Sequence, residues 1–225
     1  MRRFHNAVKG DLLSLAVKGK SDVHLLDFGC GFGGDIAKWK ANGIKNVVGV
    51  DPSEPAVTEA RARFWRSSKG EWNYHFLHEP HPLAFVESLP DGCVDVVTFH
   101  FALHYYPRHE QVQAIKALRR VLARDGVLVV TCMDGRRVMQ YQSNDFMNIK
   151  MINASEIEVR LQDSVYFDSI GVSREYLCFP TFLTRECAGD FKKIDVVDFS
   201  QFDHKDLDQV SRAASFLHVA LVFHV

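Results

Sequence analysis

The chain has 225 residues, 47% of them hydrophobic, and a formal net charge of -1. That length and apolar content predict one soluble globular domain over residues 1–225 with an ample core, and no segment is apolar for long enough to span a membrane. The near-zero charge excludes phosphate tracking by an overall basic surface, so any nucleic-acid contact has to be local. The five cysteines (Cys30, Cys93, Cys132, Cys178, Cys187) are odd in number, scattered and free of CxxC spacing. No signal-peptide, repeat or low-complexity pattern is present, and together these features predict an intracellular, reducing setting without structural zinc.

Residues 1–20 read as an N-terminal helical segment, in which Val8, Leu12, Leu15 and Ala16 recur at helical spacing and would cover one edge of a sheet. Lys9 lies near that stripe, where spacing alone reads as a solvated lysine. His24 to Phe28 is a short buried strand, Gly29, Gly31, Gly33 and Gly34 form a turn, and Asp35 to Lys40 opens a helix. Val47 to Val50 is the next strand and ends in Asp51. This is a nucleoside-binding βαβ unit: the glycines permit a tight turn and close approach of backbone to ligand. Asp51, about 20 residues beyond the turn, sits where a carboxylate accepts both hydroxyls of a ribose. The spacing is Gly-x-Gly-x-Gly-Gly, whereas a dinucleotide site prefers Gly-x-Gly-x-x-Gly, and Asp27 and Asp35 flank the turn. Two carboxylates there would repel a pyrophosphate but suit a ligand carrying an ammonium group and a sulfonium. The unit therefore resembles the S-adenosylmethionine site of class I methyltransferases.

After Asp51, Ser53 caps a helix with Arg61, Arg63 and Arg66 on its polar side. Glu71 to Phe76 is a third strand, followed by a polar loop, HEPHP. His75, His78 and His81 cross the strand end and the proline loop, so they read as exposed histidines rather than a metal set. Leu89 to Gly92 is a turn, and Cys93 to Phe99 is a strand running into HFALHYY. The fourth strand of an open α/β sheet ends at the ligand crevice, so His100 to Tyr106 should line it, with His104 and Tyr105 as the first candidates for substrate contact. His109 to Leu122 is an amphipathic helix, and Val127 to Cys132 is strand five. Ile157 to Leu161 and Val165 to Phe167 alternate around Gln162-Asp163 as a small hairpin, near 157–167, inside an insertion over residues 134–172. Ser173 to Cys187 returns to helical spacing with Phe179-Pro180 as an interruption. Ile194 to Phe199 and Phe216 to Val225 are the last two strands. The predicted fold class is α/β: a mostly parallel, seven-stranded Rossmann-like sheet with helices on both faces and an antiparallel terminal strand.

The blocks FHNAVK, LLDFGCGFGGDIAKW, GVD, HFALHYY, TCMDGRRV, VYFDSIGVSREYLCFPTFLTRE and a terminal LVFHV, in this order and spacing, resemble the mRNA cap guanine-N7 methyltransferases over nearly the whole chain. FALHYY and MDG are nearer to the viral, poxvirus-like branch. The resemblance implies methyl transfer from S-adenosylmethionine to N7 of the guanosine cap (GpppN to m7GpppN), releasing S-adenosylhomocysteine and using no metal. Its lysine of the FxNxxK helix maps to Lys9, which replaces the solvated reading, and its glycine-turn residues map to Asp27, Gly29 and Asp35. The ribose carboxylate maps to Asp51, the adenine-side acid to Glu79, and the residues passing along the methionine moiety to His100 and Phe101. Cap contacts map to His104, Tyr105, Glu175 and Arg63, with Met133 as an apolar face; His104, Tyr105 and Glu175 position guanine, and none acts as acid or base.

Three positions depart from that family's usual pattern, one of them Met133, which stands, as in the viral branch, where the cellular branch has a proline after strand five. The family's lysine inside the glycine turn is Phe32 here, and its terminal-strand tyrosine aligns with Ala220, leaving Phe216 or His218 to complete that wall. The implied partners are capped RNA 5′ ends and other components that build the cap, with a monomer favoured and no membrane; a viral member would work in host cytoplasm or nucleus. Two rival readings are a class I methyltransferase with another acceptor, against which HYY and SREYL argue, and a non-catalytic RNA- or partner-binding subunit, which would be expected to lose the glycine turn or Asp51.

Overall fold

The computed structural model describes residues 1–67, 70–161 and 171–225. Helix α1 (Arg2–Ala16) buries Phe4, Val8, Leu12, Leu13 and Ala16 as one stripe. The stripe lies on the face of the central strands and not along a sheet edge, because those side chains share one core with Leu25, Val96, Val129 and Ala220. Each fully buried leucine or valine there contributes roughly 1.5–3 kcal/mol, more than a one-sided edge contact would allow.

Strand β1 (His24–Phe28) is buried from Leu25 onward. It is followed by α2 (Ile36–Ala41), β2 (Asn46–Asp51), α3 (Glu54–Ser67), β3 (Asn73–His78), α4 (Pro82–Ser88) and β4 (Val94–His100). Next come α5 (Arg108–Val121), β5 (Leu122–Met133), α6 (Gly135–Gln140), β6 (Met147–Met151), β7 (Glu156–Leu161) and β8 (Val172–Tyr176). The described chain closes with α7 (Pro180–Cys187), β9 (Lys193–Asp198), α8 (Gln209–Ser215) and β10 (His218–His224). The main sheet is seven-stranded in the order β3-β2-β1-β4-β5-β10-β9. Strands β1 to β5 run parallel, and β10 is antiparallel to both its neighbours. Because helices cover both faces, β4 and β5 read as continuous apolar runs rather than alternating ones. The order reverses between β1 and β4, and the carboxyl ends of these two strands form the crevice where such sheets take ligands.

Three local expectations need correction. The HEPHP loop ends sooner than expected: Pro82 occupies the first turn of α4, where its missing N–H costs nothing, and Val86 is fully buried. Ser173 to Tyr176 is not helical but belongs to β8, since pairing with β7 buries Ser173 and Glu175 at period two while Arg174 stays exposed. Helix α7 then begins at Pro180, which starts the helix instead of interrupting one. The expected hairpin is replaced, over the described residues, by a three-stranded antiparallel sheet β6-β7-β8 with β7 in the middle. Val165 to Phe167, the hairpin's second half, lie outside the described residues. Met133, Met147, Ile157, Leu177 and Leu217 form a small apolar cluster that joins this sheet to the end of β5 and the start of β10. Among the described residues no helix is long and apolar enough to cross a membrane.

Candidate functional site

The glycine turn is stitched to β2, with the Gly29 and Cys30 N–H groups donating to Val50 O at 2.9 and 3.0 Å. Gly29 has φ +86°, and a Cβ there would lie 2.7 Å from Ala102 Cβ, so only glycine lets the chain leave β1 this close to the segment after β4. Asp51 Oδ2 accepts from Gly31 N–H at 2.8 Å and Oδ1 accepts from Ser53 N–H at 2.9 Å. The expected ribose carboxylate is thus also the clasp of the turn. Each of its oxygens retains a second lone pair, so both tasks are compatible. Glu79 donates its N–H to Asp51 O at 3.0 Å, which sets it just past the paired ends of β2 and β3.

Behind the turn lies a buried charge network. Asp27 accepts from Thr98 Oγ1 at 2.6 Å, and the two residues are register partners on β1 and β4. Asp35, the residue that precedes α2, holds Lys9 Nζ at 2.7 Å and Lys38 Nζ at 2.6 Å. Burial and then the Asp35 charge push the Asp27 carboxyl up to about 7. Burial acts on Asp35 in the same sense, but the Lys9 and Lys38 ammonium groups outweigh it and hold that carboxyl below the usual range. Both lysines contact Asp35, and Asp27 is left with the Thr98 hydroxyl. A ligand bringing an ammonium group would favour the ionised form of Asp27. The glycine cradle, the Asp51 clasp and this electron-rich acid fit a cationic amino-acid nucleoside such as S-adenosylmethionine.

On the other side of the crevice, His100 ends β4 with Nδ1 3.3 Å from Thr131 Oγ1. Burial pushes its pKa down to about 3, so the ring is a fixed neutral group. Phe101 has φ +53°, a conformation that costs an aromatic residue of order 1–3 kcal/mol. Its N–H is held by Thr131 O and Oγ1 at 3.0 and 3.1 Å, and its ring stacks on His5 at 5.3 Å. His5 and Phe101 both pack edgewise against His218. Ser215 O can only accept from His218 Nδ1, 3.1 Å away, so that nitrogen carries the ring proton.

His104 and Tyr105 lie on one short turn after β4, in edge contact at 4.4 Å. His104 is buried, whereas Tyr105 is 53% exposed. Glu175, on β8, is 3% exposed, with Oε1 3.8 Å from His104 Nε2, beyond hydrogen-bonding distance. Its Oε2 is buried without a hydrogen-bond partner, as is His104 Nδ1. An uncompensated carboxylate oxygen is costly, of order 1–3 kcal/mol or more, unless a ligand supplies the donors.

Other expected residues are placed differently. Arg63 sits on α3 in a 3.8 Å contact with Glu59, an exposed pair. Met133 is buried within the cluster that joins the two sheets. Phe32 is 43% exposed at the turn, and Ala220 is core beneath α1, so His218 and not Ala220 contributes to the wall at Phe101. His75 contacts Asn73, and among the described residues no three His, Cys, Asp or Glu side chains converge as a metal set. Sequence reasoning missed Lys38, Thr98, Thr131 and His5. Lys38 had a signal, its position one helical turn after Asp35, and Thr98 had another, as a lone hydroxyl in an apolar strand facing Asp27.

Residues 1–203 match the family described as the mRNA (guanine-N(7))-methyltransferase domain. The mRNA cap guanine-N(7) methyltransferase of Schizosaccharomyces pombe is 28% identical over 164 residues, covering 70% of this chain and 44% of that protein. That of Saccharomyces cerevisiae is 34% identical over 129 residues, covering 54% and 28% respectively. The chain therefore spans less than half the length of these relatives. Both are fungal, so the likeness of FALHYY and MDG to a viral branch rests on those blocks alone. A solved S-adenosylmethionine-dependent methyltransferase from Clostridium acetobutylicum superposes with a TM-score of 0.67 over 99% of this chain and 90% of its own, at 13% identity, which shows the fold. The strand order, the glycine turn and the match over residues 1–203 lead to one conclusion: this is a class I methyltransferase fold, and the chain belongs to the mRNA cap guanine-N7 methyltransferase family.

Proposed function

We propose that this chain methylates N7 of the cap guanosine of GpppN-RNA with S-adenosylmethionine as donor and S-adenosylhomocysteine as product. The observation that carries this reading is Glu175, a buried carboxylate with one unpaired oxygen, beside His104 and Tyr105 at the crevice. Guanine offers two parallel donors, N1–H and the N2 amine, and Glu175 accepts both. Adenine cannot match that pattern. The FALHYY and MDG blocks support the viral-like branch of the family.

Bound S-adenosylmethionine supplies an electrophilic methyl group on a sulfonium. Asp51 and Glu79 hold the ribose and adenine side, Gly29 gives the backbone its close approach, and Asp27, with Asp35 and Lys9 behind it, holds the ammonium end. His100 and Phe101 border the methionine moiety. Guanine N7 has an in-plane lone pair and no proton, so no residue acts as general base. The residues contribute alignment, an effect that reaches several kcal/mol. Guanine becomes cationic as the bond forms, and the Glu175 carboxylate stabilises that charge. Tyr105 supplies an aromatic wall and His104 a hydrogen-bond partner.

Incubation with labelled S-adenosylmethionine and GpppA, ApppA or N7-methylated GpppA tests the reading. Transfer to GpppA alone is expected. Equal transfer to ApppA, or transfer to none with the cofactor bound, contradicts it.

A further inference from the structure

We propose that the open groove beside the acceptor site, between α5, α7 and the start of β9, holds the RNA chain that follows the cap. The groove has a volume of about 780 Å³ and is lined by Arg108, Arg136, Arg185, Lys192 and Lys193 together with Phe179 and Phe182, and by no acidic side chain. In a protein of net charge -1, five cations gathered on one groove amount to a segregated field for a polyanion.

Its position links it to the cap site. Arg108 opens α5 just after Tyr105, Phe179 follows Glu175 by a short link, and Arg136 opens α6 just after Met133. The Gly135 N–H donates to Cys178 O at 2.7 Å, which ties the second and third of these segments together at the groove's near end. The Arg108 guanidinium lies 4.1 Å from the Phe182 ring centroid and 5.2 Å from that of Phe179, a flat cationic platform suited to a base or a phosphate.

Arg108 and Arg136 have no acidic partner among the described residues. Arg185, Lys192 and Lys193 contact Glu186, Asp125 and Asp195, but these are exposed pairs that phosphate can displace. Stacking surfaces interleaved with cations favour single-stranded RNA over an acidic protein segment. The inference rests on the cap-methylation reading for the direction in which RNA leaves the site.

The test compares GpppA with capped and uncapped unstructured RNA of roughly 20 nucleotides, long enough to enter the groove. In the Arg136→Gln/Lys193→Gln chain, the Kd for capped RNA should rise about tenfold, and the slope of log K against log salt should fall by about 1.4, the value for two lost phosphate contacts on a single strand. Methyl transfer to GpppA should change less than about twofold, since the dinucleotide ends before the groove. Arg108→Lys retains charge without the flat stack; RNA affinity should fall about threefold with the salt slope unchanged. Parental RNA affinity and slope in the double variant would overturn the proposal. So would a poly-glutamate peptide that binds as tightly as RNA with the same sensitivity, which would assign the groove to an acidic protein segment. If the parental chain fails to methylate GpppA, the cap reading falls by itself; the groove is then judged by uncapped RNA, whose affinity the double variant must still weaken.

Discussion

At the cofactor end of the crevice the acids are tied down within the chain: Thr98 donates to Asp27, Lys9 and Lys38 hold Asp35, and two backbone N–H groups hold Asp51. At the acceptor end, Glu175 Oε2 and His104 Nδ1 are buried without partners, and Tyr105 stands half exposed beside them. The first region is a finished frame, built by one continuous βαβ segment with Lys9 and Thr98 brought in behind it. The second is assembled from segments far apart in the chain, and its unpaired Glu175 oxygen is what carries the proposed assignment to guanine. The contrast separates two kinds of residue: those whose loss damages the frame and those whose loss affects only the acceptor.

The largest effect should come from breaking the frame at its tightest point. Gly29→Val combines a positive φ with a Cβ 2.7 Å from Ala102 Cβ. The expected loss is about 3 kcal/mol or more in a denaturant titration, with cofactor binding abolished. Wild-type stability in this variant would mean that the turn is not held as described.

Asp51→Ala should be intermediate, because the carboxylate serves both the turn and the ribose. We expect a loss of about 1–3 kcal/mol in cofactor affinity, together with a smaller loss in stability from the released Gly31 and Ser53 N–H groups. Calorimetry that found full affinity would remove Asp51 from the ribose site.

A smaller effect follows from Asp27, whose carboxyl is pushed up to about 7 by burial and by Asp35. The folded chain keeps this proton to higher pH than the unfolded chain, so Asp27 makes the ligand-free fold less stable as pH rises from about 4 to about 7. Asp35, held low by its lysines despite burial, acts oppositely and contributes stability that is lost on acidification. A cationic ligand needs Asp27 ionised, so affinity for S-adenosylmethionine should rise severalfold, up to about tenfold, between pH 6 and pH 8, with proton uptake by the buffer. Asp27→Asn should flatten that dependence. A pH-independent affinity in the parental chain would show that Asp27 does not face the ligand's charge.

The frame was largely legible in the sequence because its chemistry is local: a strand, four glycines and an acid at a set distance occupy one stretch. Asp27, Gly29, Asp35 and Asp51 all lie within it or at its end. Lys9 was legible only through the family resemblance, since an amphipathic helix leaves open which residue faces the ion pair. The acceptor side was harder. Glu175 lies on a strand that the apolar spacing of Tyr176, Leu177, Phe182 and Leu183 disguised as helix, and the pairing with β7 that settles the matter does not show in that spacing. Met133 and Arg63 were reached through the resemblance alone: the first lies in the cluster that joins the two sheets and the second in a surface pair with Glu59.

The measurement that bears most directly on the account is the steady-state kinetics of Glu175→Gln with GpppA, alongside its affinity for S-adenosylmethionine. The substitution keeps shape but removes the charge and one acceptor, so kcat/KM should fall at least about tenfold, equivalent to roughly 1.4 kcal/mol of transition-state stabilisation. Cofactor affinity should be unaltered, and folding stability should be unchanged or slightly raised because a buried, unpaired carboxylate oxygen is gone. Parental kcat/KM in this variant, or a loss of cofactor binding in its place, would contradict the assignment of Glu175 to guanine.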